Sequence, residues 1–397
     1  MLADLQRLRG RPQSLGLLAT LQEKLVRHIS RRETRIRILR ASIQVEKKRL
    51  VSPDGIRLGK AESLVAKARI SRAFAAVDTQ RQLLHLLRSI GDGIAFLYLD
   101  KWDIKAWARK EHAGFMTGKS GLRLELQVLR LCLSRGLVAI LSDVTNCLRH
   151  GDVVVLKHGV PLVFECKIGS KDNARALRQQ ADTQATLDYL RTGKGHDPER
   201  PDWIVSRAAL HSRDQHHRRT MARLAREALV ENLSVARPEP GLCYIAATAS
   251  AFHSDLQRRI KHLFASPLLY VINPVPNLPP YFYPATLWVP DPGLAWSLYT
   301  GGVTLIVLVD PNYIVRVLKQ SGLTARFMQD SEWLLEITGA GSEWDGPMMV
   351  SGQFFARVAH ELLSLRWFLR EVSLKYAHGP RLAQVMEGRS ENKKEPA

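Results

Sequence analysis

Cysteine is scarce in this chain of 397 residues: there are four, Cys132, Cys147, Cys166 and Cys243, with no CxxC pair. Thiols scattered in this way argue against a disulfide framework and against a cysteine zinc site, and they suit a reducing compartment. No run of about 18 or more apolar residues occurs, so no membrane span is expected. The opening stretch MLADLQRLRGRPQ lacks the apolar segment of a secretory signal, and the expected location is cytoplasmic. Internal repeats and low-complexity tracts are absent. Negative charge is the remaining shortage, with 38 Asp and Glu against 58 Lys and Arg, a net charge of +20. That imbalance is local. Residues 250–397 hold 14 Lys/Arg and 13 Asp/Glu, which leaves +19 of the +20 on residues 1–249. A chain half this basic calls for a polyanion, most simply nucleic acid, and double-stranded DNA is the expected partner.

The length suggests two or three domains, and a hydrophobic content of 45% is ample for their cores. Residues 1–50 carry 13 Lys/Arg against 4 Asp/Glu. From Leu17 to Leu50 there is no proline, and Leu18, Leu21, Leu25, His28 and Ile29 recur at three-four spacing, which predicts an amphipathic helix. SPDG at 52–55 is a turn, and a second helix is predicted from Lys60 to Ile90, ended by Gly91-Asp92-Gly93. GFMTGKS at 114–120 is one residue too short for a phosphate loop, so Ser120 is assigned as the cap of the next helix.

The most informative stretch is GDVVVLKHGVPLVFECK, residues 151–167. Two runs rich in β-branched residues flank Lys157-His158-Gly159 and read as a tight hairpin. Side chains alternate along a strand, so Val163, Glu165 and Lys167 share a face, and Asp152 shares one with Val154 and Leu156. Two carboxylates and an amine at one end of an apolar hairpin need partners or a metal. The set suits metal-assisted phosphodiester hydrolysis. Asp152 and Glu165 supply carboxylate oxygens and Cys166 a backbone carbonyl, the hard donors that magnesium takes. Lys167 can orient or deprotonate the attacking water. Asp143, at the end of the preceding apolar run, is the rival to Asp152.

Asp152 followed by Glu165-Cys166-Lys167 resembles the signature of the PD-(D/E)XK, or restriction-endonuclease-like, nuclease superfamily. Gly151 stands where that family usually has proline. The family core runs helix, three strands, helix, strand, often with a glutamate on the first helix. Here SGLRLELQVLRLCLSRG, 120–136, carries Glu125 on a stripe with Leu122, Leu129 and Cys132. LVAIL at 137–141 precedes the hairpin, and KDNARALRQQADTQATLDYLR at 171–191 follows it as a helix. The resemblance covers roughly residues 118–250. It implies an α/β fold with a restriction-endonuclease-like mixed sheet flanked by helices, and a Mg2+ or Mn2+ cofactor. It also implies a catalytic set of Asp152, Glu165, Lys167 and Glu125, with Asp152, Glu165 and the Cys166 carbonyl as metal ligands. Some of its members use a glutamine on the helix after the hairpin, which points to Gln180 and Gln184. Arg149, Arg175 and Arg178 are further candidates for nucleic-acid contact.

Beyond this core, TGKGHDPERPD (192–202) reads as a loop and DWIVS (202–206) as a short strand. His211, Asp214, His216 and His217 match no common zinc spacing, and the arginines after them suit a basic helix. LCYIAATAS (242–250) and GGVTLIVLVD (301–310) read as buried strands, 273–293 as a long irregular segment, and 351–372 as one helix. The expected division is a basic helical region at 1–92, a nuclease-like core at 93–250, an α/β region at 251–376 for self-association or a partner protein, and a polar tail at 377–397.

Two alternatives to an enzyme share the same charge pattern: a non-catalytic nucleic-acid-binding module on a degenerate nuclease fold, and a scaffolding subunit whose basic helices bind an acidic protein. The charge distribution predicts that duplex DNA binds with an affinity that falls steeply with salt, because each Lys or Arg contact releases counterions. A dissociation constant unchanged between low and moderate salt, in a fluorescence-anisotropy titration, contradicts a phosphate-binding surface.

Overall fold

The predicted basic helices form, and they are longer than the periodicity alone suggests. In the computed structural model, helix α1 spans Leu2–Gly10, α2 Leu15–Leu50 and α3 Lys60–Tyr98. The structure describes all residues except 52–57, 109–113, 120, 167–173, 198–199, 207–209, 255–262, 277, 330–331, 340–345 and 379–397, and describes the backbone only at 174–177, 179, 196–197, 200–206 and 252–254. The SPDG turn, the Ser120 cap, Lys167 and the polar tail from residue 379 therefore lie outside the described residues, and residues 377–378 end a helix. The chain divides into two compact units, Met1–Leu187 with Val275–Pro292, and Asp188–Pro274 with Gly293 onward.

In the first unit α2 and α3 pack along each other. Leu18, Leu21, Leu25, Ile29, Ile36 and Ile43 make the buried row of α2. Burying each such side chain stabilises by about 1.5–3 kcal/mol. Two polar residues lie in the same buried face. Gln22 lies against strand β1 (Val138–Leu141), donating from Nε2 to the Ala139 carbonyl at 2.9 Å and accepting from the Leu141 amide at 2.8 Å. A side-chain amide thus closes the outer edge of a sheet whose order is β1, β2 (Val153–Lys157), β3 (Val160–Phe164). Glu33, fully buried, pairs with Arg88 of α3 at 3.0 Å.

Helix α3 does not end at Gly91-Asp92-Gly93; it runs on to Tyr98, so the expected boundary at residue 92 falls inside a helix. The glycines serve close approach instead. A Cβ on Gly91 would lie 1.9 Å from the Val144 carbonyl oxygen. Between the glycines, buried Asp92 accepts hydrogen bonds from the Asn146 amide at 2.6 Å, the Cys147 amide at 2.9 Å and the Asn146 side chain at 2.7 Å. The segment 275–292 also departs from expectation, since it belongs to this unit. Thr286 donates to the Ser89 carbonyl at 2.8 Å, Gln6 to the Thr286 carbonyl at 2.8 Å and Arg9 to the Leu287 carbonyl at 2.7 Å.

A short helix, α4 (Ile104–Trp107), leads to α5 (Leu122–Ser134), which packs on β1 and β2. The three strands fall close to 137–141, 152–157 and 161–167, and α6 (Ala174–Thr192) follows them. Among the described residues every strand pairing is antiparallel. The protein is therefore a mixed α/β chain whose described strands include no parallel pair, against the expected mixed sheet.

The second unit begins with a hairpin that was expected to be partly loop: β4 (Lys194–Asp197) pairs with β5 (Arg200–Ser206) rather than joining β1–β3. Helix α7 (Arg218–Glu231) packs on β6 (Leu233–Glu239) and β7 (Leu242–Thr248), and α8 (Ala249–Ser254) follows. With β8 (Leu268–Val271) and β9 (Val303–Val309) these strands form a sheet of order β6-β7-β9-β8. Helices α9 (Pro292–Thr300) and α10 (Pro311–Gln320) flank β9 in sequence. A separate sheet holds β10 (Leu323–Phe327), β11 (Trp333–Gly339) and β12 (Met348–Ser351). The single helix expected at 351–372 is two, α11 (Gly352–His360) and α12 (Leu365–His378). Leu362 takes a φ of 57° between them, and residues 362–364 bond instead to residues 215–217. The histidines of that stretch brace this unit: the His211 amide donates to Glu371 at 2.9 Å, and the His217 ring lies 3.3 Å from Glu239. Among the described residues no helix is long and apolar enough to cross a membrane.

Asp92→Ala leaves two backbone amides and a side-chain amide without an acceptor, and should cost roughly 2–5 kcal/mol. Gly91→Ala forces backbone apart and should cost about 2 kcal/mol or more. Urea unfolding followed by circular dichroism measures both, and unchanged midpoints contradict the packing described.

Candidate active site at the end of the β2–β3 hairpin

The hairpin turn uses His158 at φ 52° and Gly159 at φ 78°, the two left-handed residues that a two-residue turn matching strand twist requires. At the other end of β2, Gly151 has φ 63°, and a Cβ there would lie 2.1 Å from Val163 Cγ1. Proline is fixed near −65°, so the residue usual before the aspartate in the nuclease signature cannot occupy this conformation.

Asp152 follows directly. Its amide donates to the Phe164 carbonyl at 2.9 Å, although Phe164 faces Val153 in the ladder. The Asp152 carboxylate turns to the Cys166 amide, with Oδ2 accepting at 2.7 Å. Its carbonyl accepts from the Ser142 amide at 2.9 Å, which sets Asp143, on the 3-10 turn Ser142–Val144, next to it in the backbone.

Glu125 stands in the first turn of α5, whose N-cap is Gly121. It is 2% exposed, and its Oε2 is buried with no hydrogen-bond partner among the described residues. A Cβ on Gly121 would lie 3.4 Å from both Glu125 Oε1 and the Cys166 carbonyl oxygen. Glu125, Cys166 and Asp152 thus close on one small volume. Asp143 forms its rim, ion-paired with Lys119.

The charges respond to this crowding. Burial, then Asp152 and Asp143, push the Glu125 carboxyl from its ordinary 4.5 up to about 7, with Lys119 opposing. Burial also raises Asp152, against the Cys166 amide and Lys119, which favour its ionised form. The Cys166 thiol is pushed up to about 11 by burial and then by the Asp152, Glu125 and Glu165 carboxylates. It is no thiolate at neutral pH, and the group Cys166 offers is its carbonyl.

The structure therefore gathers Glu125, Asp152 and the Cys166 carbonyl. The Glu165 side chain is exposed, and its charge acts on Cys166 beside those of Asp152 and Glu125. Arg149, half-buried, spends its guanidinium on the carbonyls of Asn146, at 2.8 Å, and Thr145. Arg178, Gln180 and Gln184 are exposed on α6, and the Arg175 side chain lies outside the described residues. One tie between α6 and the site is His150, which is buried. Its ring nitrogens lie 3.3 Å from the hydroxyls of Thr183 and Thr186, and its ring packs edge-on to Trp107. Sequence reasoning missed Lys119, and it missed the tie of His150 to α6. Lys119 had a signal in its place just before the helix that carries Glu125; His150 had only its adjacency to Gly151-Asp152.

Compared with protein-family models, with curated proteins and with solved structures, the chain matches none.

The donors fit a hard divalent cation. Among the described residues no three His, Cys, Asp or Glu side chains are gathered closely enough to hold one ion. The protein would instead contribute the Asp152 and Glu125 carboxylates and the Cys166 carbonyl, and magnesium keeps several waters in such sites. The orphaned Oε2 of Glu125 is an oxygen that such a shell would satisfy.

Because Glu125 in the folded protein binds its proton more tightly than an exposed glutamate, the stability tied to that proton is complete below pH 4.5. It is lost as pH rises through about 7. Glu125→Gln should therefore raise the melting temperature of the metal-free protein by a few degrees at pH 8 and leave it near wild type at pH 5. A gain of equal size at both pH values contradicts the buried-carboxylate assignment.

Proposed function

We propose that the chain is a metal-dependent nuclease that hydrolyses phosphodiester bonds in DNA, on a restriction-endonuclease-like core spanning α5, β1–β3 and α6. The observation that carries this reading is the buried Glu125 carboxylate beside Asp152 and the Cys166 carbonyl, its Oε2 without a hydrogen-bond partner among the described residues. A fold retains such a costly group where something charged completes it. Bound Mg2+ or Mn2+ supplies an activated water and a polarised phosphate. Asp152, Glu125 and the Cys166 carbonyl would hold the ion, the exposed Glu165 would add a further carboxylate, and Lys167 would orient or deprotonate the water.

The partner follows from α2. It carries ten Lys/Arg and three Glu. Each glutamate already has a cation: Glu23 meets Arg130, Glu33 meets Arg88, and Glu46 meets Arg49 and Arg69. Arg27, Arg31 and Arg35 stand exposed in one row at helical spacing, a line of charge suited to a phosphate backbone. A reducing cytoplasm suits the four free thiols, and the second unit is the proposed surface for self-association or a partner protein. The second reading is a non-catalytic nucleic-acid-binding or scaffolding subunit on a degenerate nuclease fold; the lack of a third gathered carboxylate among the described residues favours it.

Incubation with plasmid and linear DNA in Mg2+, Mn2+ or EDTA separates the two. Cleavage should require the ion. Asp152→Ala and Glu165→Ala should each slow it at least about 100-fold while duplex affinity holds or tightens, since each removes negative charge facing phosphate. Lys167→Ala should slow cleavage with the ion still bound. Wild-type protein that binds DNA and cuts none with either ion supports the degenerate module, and wild-type rates in Glu165→Ala remove that ligand.

A further inference from the structure

Lys119 brings to the acidic centre a cation that the Glu-x-Lys signature does not include. Its backbone is fixed from both sides. Thr117, two residues before, donates from its amide and its hydroxyl to Glu33 Oε2, at 2.8 and 2.7 Å. Glu33 is itself fully buried and paired with Arg88, which also donates to the Gly114 carbonyl at 2.8 Å. Gly118 then turns the chain at φ 86°, and the Lys119 amide closes the turn on the Met116 carbonyl at 3.1 Å. Two residues beyond Lys119 lies Gly121, where an added Cβ would meet both Glu125 Oε1 and the Cys166 carbonyl oxygen at 3.4 Å.

The side chain is fixed as well. Lys119 Nζ is ion-paired with Asp143 Oδ2, and Asp143 is the neighbour of Ser142, whose amide holds the Asp152 carbonyl. The pair is partly open to solvent, with the Lys119 side chain 37% exposed. An ammonium has three donors, and Asp143 takes one of them. Glu125, Asp143 and Asp152 would otherwise face an incoming phosphate as like charges, and the nearby Arg149 guanidinium is turned onto loop carbonyls.

We infer that Lys119 is the phosphate-contacting amine of this centre. It is held at the rim by Asp143 so that its free donors meet a non-bridging oxygen of a DNA phosphodiester. The inference rests on the nuclease reading for the identity of the ligand. It gives the Asp143 carboxylate a role of its own, that of holding the lysine.

The test uses the full chain and a short DNA duplex. In the Asp152→Asn background, in EDTA, duplex affinity is measured across salt concentrations with and without Lys119→Met. Loss of one phosphate contact should reduce the slope of log affinity against log salt by about 0.9. In the Asp152-intact protein, Lys119→Met should lower the single-turnover cleavage rate about 100-fold, with Mn2+ binding by electron paramagnetic resonance retained. Lys119→Arg should recover part of that rate. An unchanged salt slope overturns the inference. So does a cleavage loss that accompanies loss of Mn2+ binding, or an arginine variant as slow as the methionine one. If the wild-type protein cuts no DNA, the nuclease reading falls, and the salt slope alone still decides Lys119.

Discussion

The first unit depends on one buried carboxylate. Asp92, inside a long helix, gathers the amides of Asn146 and Cys147 and the Asn146 side chain onto itself. A buried charge survives only with such donors around it, and here the donors belong to the loop that delivers residues 148–152 to the sheet. With that loop fixed, Arg149 satisfies its own turn, His150 reaches the threonines of α6, and Gly151 turns Asp152 toward Cys166. Gly91 belongs to the same constraint, since nothing larger lets the helix approach the Val144 carbonyl.

Gln22 and Glu33 extend this logic along α2. One amide side chain pairs with both the carbonyl and the amide side of the edge strand, and one carboxylate holds the loop before α5. The basic hairpin and the acidic centre are therefore parts of one body. A face rich in arginine lies on the outside of α2, while its inner face positions the strand and loop on which the carboxylates stand. Phosphate attraction over a broad surface and carboxylate crowding at one point are opposite electrostatic demands. Charge-setting contacts such as Lys119 with Asp143 sit where the two meet.

Much of the candidate core was legible because local signals and tertiary structure agree there. The β-branched runs of 153–157 and 160–164 around a His-Gly turn could scarcely be anything but a hairpin, and the buried stripe that placed Glu125 inward is real. The failures share one cause, that the deciding contact is remote in sequence. Gly91 and Gly93 look like helix breakers, yet they are close-approach residues, and only Val144 and Leu5 reveal it. Leu362 interrupts a perfect apolar period because residues 215–217 compete for its backbone. The proline-rich 275–292 segment reads as a feature of the C-terminal region, and its partners are Gln6, Arg9 and Ser89. Lys119 is hidden differently: its Gly-Lys-Ser setting suggests a phosphate loop that the spacing excludes, and its partner Asp143 lies 24 residues on.

Whether Glu125, Asp152 and the Cys166 carbonyl share an ion decides the proposed function. Crystals of the protein grown in Mn2+ and measured at the manganese absorption edge test this directly. The expected result is one anomalous peak roughly 2.0–2.6 Å from an Asp152 carboxylate oxygen and the Cys166 carbonyl oxygen, with Glu125 bound to it directly or through water. No peak at that position, with the carboxylates fully accessible to the ion, would contradict it.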